Sequence, residues 1–189
     1  MRICVIGAHG TGKSTISKAL SEHFNCALIP DVCSDAFHKK FTINEDTPPE
    51  TQFWIMSKQI ELERNTPEPW VMEKSLWDNI IYGVFSIKDK KVIDVITNIV
   101  KANAKYDFVF YCPIEFPIPD DGIRSLNIDF QKAIDTSFLS FLKENNIKYH
   151  VLSGDIPSRL QQALEIIGKN IEPQKPVTQY KRRTLTDNF

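Results

Sequence analysis

The chain has 189 residues, a formal net charge of −1 and a hydrophobic content of 42%. This length suits one domain with a sizeable core, and the balanced charge excludes a globally basic surface of the kind that binds nucleic acid or anionic membrane. No run approaches the ~18 apolar residues of a membrane-spanning helix, so we expect no membrane partner. The four cysteines show no CxxC spacing, which disfavours a zinc site and indicates reduced thiols and a cytoplasmic location.

Short apolar runs alternate with segments of helical periodicity along most of the chain. The runs predict strands at Arg2–Gly7, Cys26–Pro30, Trp70–Met72, Tyr106–Cys112 and Lys148–Leu152. The periodic segments predict helices at Lys13–Phe24, Glu50–Glu63, Ser75–Phe85, Val92–Ala104, Phe130–Glu144 and Ile156–Ile167. Strands that are apolar throughout and alternate with helices are typical of a parallel sheet covered on both faces. We therefore expect an α/β fold with a five-stranded parallel sheet.

The segment GAHGTGKS, from Gly7 to Ser14, matches the phosphate-loop pattern GxxxxGK[ST] between a predicted strand and a predicted helix. Its glycines let backbone N–H groups surround phosphate oxygens, and the helix that follows directs its positive end at the anion. Lys13 is expected to reach the β- and γ-phosphates of ATP, and Ser14 to hold Mg²⁺. The predicted ATP-binding residues of this loop are Gly7, His9, Gly10, Thr11, Gly12, Lys13, Ser14 and Thr15.

The phosphate loop does not by itself say how the nucleotide is used. No guanine-reading NKxD follows a later strand, which disfavours a GTPase. The chain is also short for a remodelling ATPase, and it has no apolar strand that ends in two acids. Size and motif content therefore favour a kinase.

Two carboxylates directly follow predicted strands, Asp31 after the second and Glu73 after the third. Ligands of an open parallel sheet bind beyond the carboxyl ends of its strands, so both should face the crevice that holds Lys13. A carboxylate in that position can take the proton of a hydroxyl acceptor during phosphoryl transfer. We predict Asp31 and Glu73 as catalytic residues and Glu73 also as a metal ligand, and which of the two is the base stays open.

Further contacts are predicted around these carboxylates. On the Glu50–Glu63 helix, Trp54 and Lys58 lie on the face away from Phe53, Met56 and Ile60, where a nucleobase could stack. Trp77 belongs to the same aromatic group, although aromatic residues at helical spacing more often form core. The predicted substrate-binding set is Asp31, Trp54, Lys58, Lys74, Trp77 and Asp78.

Two later segments carry arginines. PIPDDGIRSLN, residues 117–127, combines turn residues with Arg124 and predicts a mobile lid whose arginine meets the transferring phosphate. SGDIPSRL, residues 153–160, could line the adenine through Arg159, and a plain capped helix start is an equal alternative. The chain has only six arginines. So few guanidinium groups favour a hydroxyl acceptor over one that is itself a phosphate.

An ordered set of motifs now resembles a known group, the P-loop kinases of the nucleoside and thymidylate kinase superfamily, especially the ribosylnicotinamide-kinase type. The motifs are LIPDVCSDAF, ETQFWIMSKQIELE, VMEKSLWDNIIY and YDFVFYCP…PDDGIRS, and the resemblance spans roughly Met1–Gly168. It implies that Asp31 is a base or metal partner, that Glu73-Lys74-Ser75 serves magnesium and acceptor binding, and that Arg124 contacts phosphates. From the turn residues near Arg124 and the weak periodicity of the C-terminal segment, we expect a kinase domain at 1–171 with a lid near 114–125, followed by an extended basic tail at 172–189.

This chain departs from the pattern of those kinases at two positions. Ser34 and Lys74 stand where such kinases usually have arginine, and lysine lacks the bidentate geometry of a guanidinium. Both changes weaken an anion clamp and so favour a hydroxyl acceptor.

The leading interpretation is thus a Mg·ATP-dependent kinase of a nucleoside-like hydroxyl. Alternatives are a nucleoside monophosphate kinase of thymidylate kinase type and a P-loop switch that controls a partner. Related viral kinases phosphorylate hydroxymethyluracil within DNA, so DNA is a further candidate partner, with the basic segment Gln179–Arg183 on its backbone. The sequence indicates no oligomeric state.

Overall fold

The computed structural model describes residues 1–118 and 125–170. Its strands are β1 (Arg2–Ile6), β2 (Ala27–Ile29), β3 (Trp70–Glu73), β4 (Phe108–Tyr111) and β5 (His150–Val151). Its helices are α1 (Lys13–Phe24), α2 (Val32–His38), α3 (Pro49–Asn65), α4 (Trp77–Ser86), α5 (Lys90–Asn103), α6 (Ile128–Glu144) and α7 (Ile156–Asn170). The five predicted strands and six predicted helices are confirmed with small shifts at their ends, and α2 was not predicted.

The five strands form one parallel sheet in the order β2-β3-β1-β4-β5. β1 lies in the middle, with Val5 opposite Glu73 of β3 and Ile6 opposite Tyr111 of β4. The chain leaves β1 towards one side of the sheet and later returns to the other side. The strand order therefore reverses beside the carboxyl end of β1, which is where sheets of this type bind ligands.

Helices cover both faces of the sheet, as the apolar strands require. Ile3 and Val5 of β1 pack in one core with residues of α1 and α7. Cys4 and Ile6 face the opposite core, which α4, α5 and α6 complete. Alternate residues of β1 thus enter different cores, and this explains why a strand with no polar residue after Arg2 is stable here.

A smaller third cluster joins α2 to α3 beyond the carboxyl ends of β2 and β3. Val32 and Ala36 of α2 pack against Ile55 of α3. Asp31 caps α2, accepting a hydrogen bond from the Cys33 backbone N–H at 2.9 Å. The cluster holds both helices as one wall of the space above the sheet.

Several predictions lie outside the described residues. Arg124 and half of the predicted lid fall within residues 119–124, and the predicted basic tail falls within 171–189. None of the described helices is both long enough and apolar enough to cross a membrane. All four cysteines are free thiols, with Cys4 and Cys112 fully buried.

Candidate active site

The phosphate loop follows β1 and depends on glycines in the left-handed region. Gly7 has a φ of 135° and Gly12 a φ of 85°. A Cβ atom on Gly7 would lie 2.4 Å from the carbonyl oxygen of Cys112, so only glycine fits there. Gly12 is the N-cap of α1 and, having no side chain, leaves the first backbone N–H groups of the helix without a side-chain cap. The positive end of α1 is therefore directed into the loop.

Two polar side chains of the loop pack against its own backbone. Lys13 is buried, and its Nζ donates a hydrogen bond to the Ala8 carbonyl oxygen at 2.5 Å. Thr11 Oγ1 donates to the same oxygen at 2.9 Å. Together with Phe116, Pro117 and Ile156, the residues from Gly10 to Thr15 line one cavity, called here the phosphate-loop cavity. Its lining also includes Glu73.

Magnesium would find hard oxygen ligands at the edge of this cavity. The Ser14 hydroxyl donates a hydrogen bond to Glu73 Oε1, which places a hydroxyl and a carboxylate side by side. Within residues 1–118 and 125–170, no group of three or more His, Cys, Asp or Glu side chains could hold a metal by itself. Mg²⁺ commonly binds through one or two protein oxygens together with phosphate oxygens, and Ser14 with Glu73 fits that type of site.

A second cavity, called here the α3–α4 cleft, adjoins the first. Side chains from the end of β2, the end of β3, α3, α4, α6 and the loop before α3 line it. The polar side chains in this lining include Asn44, Thr47, Asp31, Gln52, Gln59, Glu73, Lys74, Asp78 and Asn79. Glu73 lines both cavities. A group in the cleft can therefore lie next to a phosphate bound in the loop.

Asp31 and Lys74 form an ion pair in the wall of the cleft. Lys74 Nζ lies 3.1 Å from Asp31 Oδ2 and also 3.1 Å from Cys33 Sγ. Lys74 has a φ of 74°, which is a strained conformation for a residue other than glycine. Burial lowers the pKa of Lys74, but the acidic groups around it, with Asp31 the largest contributor, together outweigh burial and raise that pKa. Burial raises the pKa of Cys33 to about 12, so this thiol stays protonated at neutral pH.

Asp78 and Asn79 lie in the first turn of α4, at the bottom of the cleft. Asp78 Oδ2 accepts hydrogen bonds from the Ser75 backbone N–H at 2.8 Å and from Ser75 Oγ at 2.9 Å. Burial raises the pKa of the Asp78 carboxyl, while the charges of Lys74 and Lys13 oppose this shift. Asn79 Nδ2 donates to Gln59 Oε1 of α3 at 3.3 Å, which links the two helices.

The structure does not bring three of the predicted substrate residues to the cleft. Trp54 packs edge-on against Phe41 in the α2–α3 cluster. Lys58 pairs with Glu61 at the surface, with 3.1 Å between Nζ and Oε2. Trp77 is buried in the large core, where it contacts the ring of Tyr106. This placement removes the reason for assigning these three residues to substrate.

Arg159, predicted as a nucleotide contact, is fully buried and acts as a brace. Its Nη1 donates to the Thr11 carbonyl oxygen at 2.6 Å, and its Nε donates to that of Gly154 at 2.9 Å. Its Nη2 lies 2.7 Å from Glu115 Oε2. Hydrogen bonds from Ser153 and then from Arg159 lower the pKa of Glu115 to about 2. Arg159 therefore ties the phosphate loop to the segments that follow β4 and β5.

Sequence reasoning missed several residues that line the cleft. Gln52 and Gln59 lie two helical turns apart on the buried face of α3, and Asn79 lies in the first turn of α4. Asn44 and Thr47 come from the segment predicted only as a polar loop. A usable signal was present, since glutamines spaced by seven residues share one helix face with Met56. Buried polar side chains on such a face usually need a partner.

Comparisons with solved structures agree with this fold. The NadR protein in complex with NR superposes with a TM-score of 0.74 at 15% identity, covering 94% of this chain and 54% of NadR. Deoxyadenosine kinase from M. mycoides, solved with products dCMP and dCDP, superposes with a TM-score of 0.67 at 14% identity, covering 90% of this chain and all of that one. Thymidylate kinase from Candida albicans superposes with a TM-score of 0.68 at 18% identity, covering 89% of this chain and 91% of that one.

These similarities establish a shared P-loop kinase fold. No curated protein matches the sequence. A protein family described as the AAA domain matches residues 2–159, which includes the phosphate loop, the cleft and the Arg159 brace. By this match the chain belongs to the AAA domain family.

Proposed function

We propose that the chain is a Mg·ATP-dependent kinase that transfers the γ-phosphoryl group to a hydroxyl of a nucleoside-like acceptor. The observation that carries the proposal is the position of Glu73, which lines both the phosphate-loop cavity and the α3–α4 cleft. An ATPase needs only the first cavity. A transferase needs a second cavity for an acceptor, open to the terminal phosphate.

The phosphate loop supplies the electrostatic part of the reaction. The first turn of α1 and the Lys13 ammonium would bind the β- and γ-phosphates. Ser14 and Glu73 would hold Mg²⁺, which neutralises charge on the phosphate oxygens when it is bound. Arg159 touches no nucleotide in this scheme. It fixes the loop by its hydrogen bond to the Thr11 carbonyl oxygen.

The proposed general base is Asp31. Glu73 bonds with Ser14 at the metal position, whereas Asp31 lies in the cleft beside Lys74. A carboxylate there can accept the proton of the acceptor hydroxyl as the oxygen attacks the γ-phosphorus and ADP departs. Lys74 would hold Asp31 in place through their ion pair.

A hydroxyl acceptor fits the cleft better than a monophosphate acceptor. Among the described residues that line the cleft, Lys74 is the one lysine or arginine, and Asp31 already neutralises it. A second phosphate would have to break this buried pair. The likeness to thymidylate kinase is one of fold at 18% identity and does not alter this argument.

The named neighbours add modest support for a nucleoside-like acceptor. One was solved with NR and another with dCMP and dCDP. The hypothesis of a DNA acceptor depends on the basic segment Gln179–Arg183. This segment lies outside the described residues, so the structure adds no support for DNA as an acceptor. A P-loop switch remains the alternative that the AAA domain match leaves open.

The test is phosphate transfer from labelled ATP to a panel of nucleosides, nucleoside monophosphates and plain or hydroxymethylated DNA. We expect transfer to at least one nucleoside. Asp31→Asn should lower kcat by roughly 10²–10⁴-fold, the usual contribution of a general base, with ATP affinity kept. Asp35→Asn is the matched control, since Asp35 is exposed on α2.

Two results would contradict the proposal. Full turnover by Asp31→Asn would rule out Asp31 as the base. Hydrolysis of ATP with transfer to no acceptor would favour the switch instead.

A further inference from the structure

Three polar atoms at the bottom of the α3–α4 cleft are buried without a hydrogen-bond partner in the part of the chain that the structure describes. They are Gln59 Nε2, Asn79 Oδ1 and Asp78 Oδ1. Each side chain is at most 5% exposed, and all three line the cleft. An unsatisfied buried polar atom is unfavourable and rare in folded proteins. Three of them at one cavity indicate a ligand that supplies the missing hydrogen bonds.

The protein itself fixes which of these atoms donate and which accept. Asn79 Nδ2 donates to the Leu76 carbonyl oxygen at 3.2 Å, so the amide nitrogen faces the backbone and Oδ1 is left over. The same nitrogen donates to Gln59 Oε1, which leaves Gln59 Nε2 as a donor. The backbone N–H of Ser75 donates to Asp78 Oδ2, which leaves Oδ1 as an acceptor.

The set therefore offers two acceptors and one donor to a ligand. Its complement is a group with at least two N–H or O–H donors and one acceptor. An amino group beside an unprotonated ring nitrogen meets this requirement, and so does a primary carboxamide. A thymine or uracil edge does not, because it places one N–H donor between two carbonyl acceptors and would leave an acceptor of the protein unpaired.

We infer that this set selects acceptors whose planar ring carries an amino group next to a ring nitrogen, or a carboxamide, and discriminates against thymine- and uracil-type rings. The inference rests on the proposed function for the statement that the cleft holds the acceptor. Gln59, Asp78 and Asn79 are thus specificity-determining residues that take no part in the transfer itself. A site built to form such hydrogen bonds strongly rejects analogues that cannot complete them.

The test uses size-matched pairs of ligands on the full chain with Mg²⁺ and a non-hydrolysable ATP analogue, followed by isothermal titration calorimetry. The pairs are cytidine and uridine, adenosine and inosine, and nicotinamide riboside and nicotinic acid riboside. We expect the amino or carboxamide member to bind at least about tenfold more tightly in any pair that binds. Because binding is read without turnover, a preferred ligand that is never phosphorylated would contradict the proposed function and leave this inference standing.

Asp78→Asn tests the assignment with almost no change of shape. Ser75 would still donate to the amide oxygen, so the new amide nitrogen would replace Asp78 Oδ1 in the cleft. The set would then offer two donors and one acceptor, which is the complement of a uracil edge. We expect the cytidine-to-uridine affinity ratio to fall by about tenfold or more. Asp94→Asn on the exposed face of α5 is the matched control and should leave the ratio unchanged.

Equal binding within every pair, or tighter binding of the oxo or acid member, would overturn the inference, as would failure of the folded protein to bind any member. An unchanged ratio in folded Asp78→Asn would also overturn it. Gln59→Glu gives a second variant if Asp78→Asn does not fold. It turns the one donor into an acceptor and should weaken the preferred member by about tenfold.

Discussion

Glu63 should make the stability of this protein fall with rising pH. It lies in α3, and only 9% of its surface is exposed. Burial raises the pKa of its carboxyl group from 4.5 to about 7, although a hydrogen bond from Tyr106 and the charge of Arg2 oppose the shift. The folded protein therefore keeps a proton on Glu63 between pH 4.5 and 7, where the unfolded chain has lost it.

The size of the effect follows from proton linkage. A carboxyl whose pKa is raised on folding contributes stability that is complete below the unfolded pKa and lost as pH rises through the folded pKa. The shift from 4.5 to about 7 corresponds to roughly 3 kcal/mol at 1.36 kcal/mol per pKa unit. Glu63→Gln removes the titration while its amide oxygen can still accept from Tyr106 Oη, which lies 3.1 Å from Glu63 Oε1.

The assay is urea unfolding followed by circular dichroism at pH 5, 6, 7 and 8. Relative to Glu63→Gln, the wild type should lose up to roughly 3 kcal/mol of unfolding free energy between pH 5 and pH 8. Other titrating groups are shared by both proteins and cancel in the difference. Exposed Glu61 on the same helix gives the control Glu61→Gln. A constant difference between wild type and Glu63→Gln at all four pH values would refute the reasoning.

The remaining predictions concern the phosphate loop. Gly7→Ala should destabilise the fold by at least about 2 kcal/mol and abolish ATP binding, because the new Cβ would clash with the Cys112 carbonyl oxygen. Stability is measured by thermal melting. Gly168→Ala is the control, since no atom lies within 4 Å of its added Cβ, and it should be neutral or stabilising. Arg159→Lys should lower the free energy of unfolding by roughly 3 kcal/mol and raise the KM for ATP more than the KM for the acceptor. Surface Arg64→Lys is the control and should change neither quantity. Equal melting temperatures of wild type and Arg159→Lys would contradict the stabilising role of Arg159.

Most of the fold could be predicted because its signals are local. The strands are short apolar runs, and α1 begins at Lys13, near the end of the phosphate-loop motif. α2 was missed because Val32–His38 is only seven residues long, too short for its periodicity to stand out. Its start signal, Asp31, was present in the sequence, but it was interpreted as a catalytic and substrate-binding residue and no helix was predicted after it. In the structure Asp31 caps the helix and also lines the cleft.

The site was harder to predict because it depends on which face of α3 points inwards. The sequence suggested that Phe53, Met56 and Ile60 mark the buried stripe, which put Trp54 beside the ligand. In the structure the buried face includes Gln52, Ile55 and Gln59, so the apolar stripe is rotated relative to the true one. Tertiary packing against α2 and α4 decides this rotation. The burial of Arg159 could not be predicted either, because arginine is usually exposed and its partners Thr11 and Glu115 are distant in the sequence.

The stretch that follows β3 has a consequence for how such an enzyme could change over evolutionary time. Glu73 lines both cavities, Lys74 pairs with Asp31, and Asp78 and Asn79 lie at the bottom of the cleft, all within seven consecutive residues. Acceptor preference could therefore drift through one or two base changes in a single short gene segment, while the machinery for ATP stays intact. A directed-evolution library that aims to change acceptor preference should therefore vary the residues of this segment.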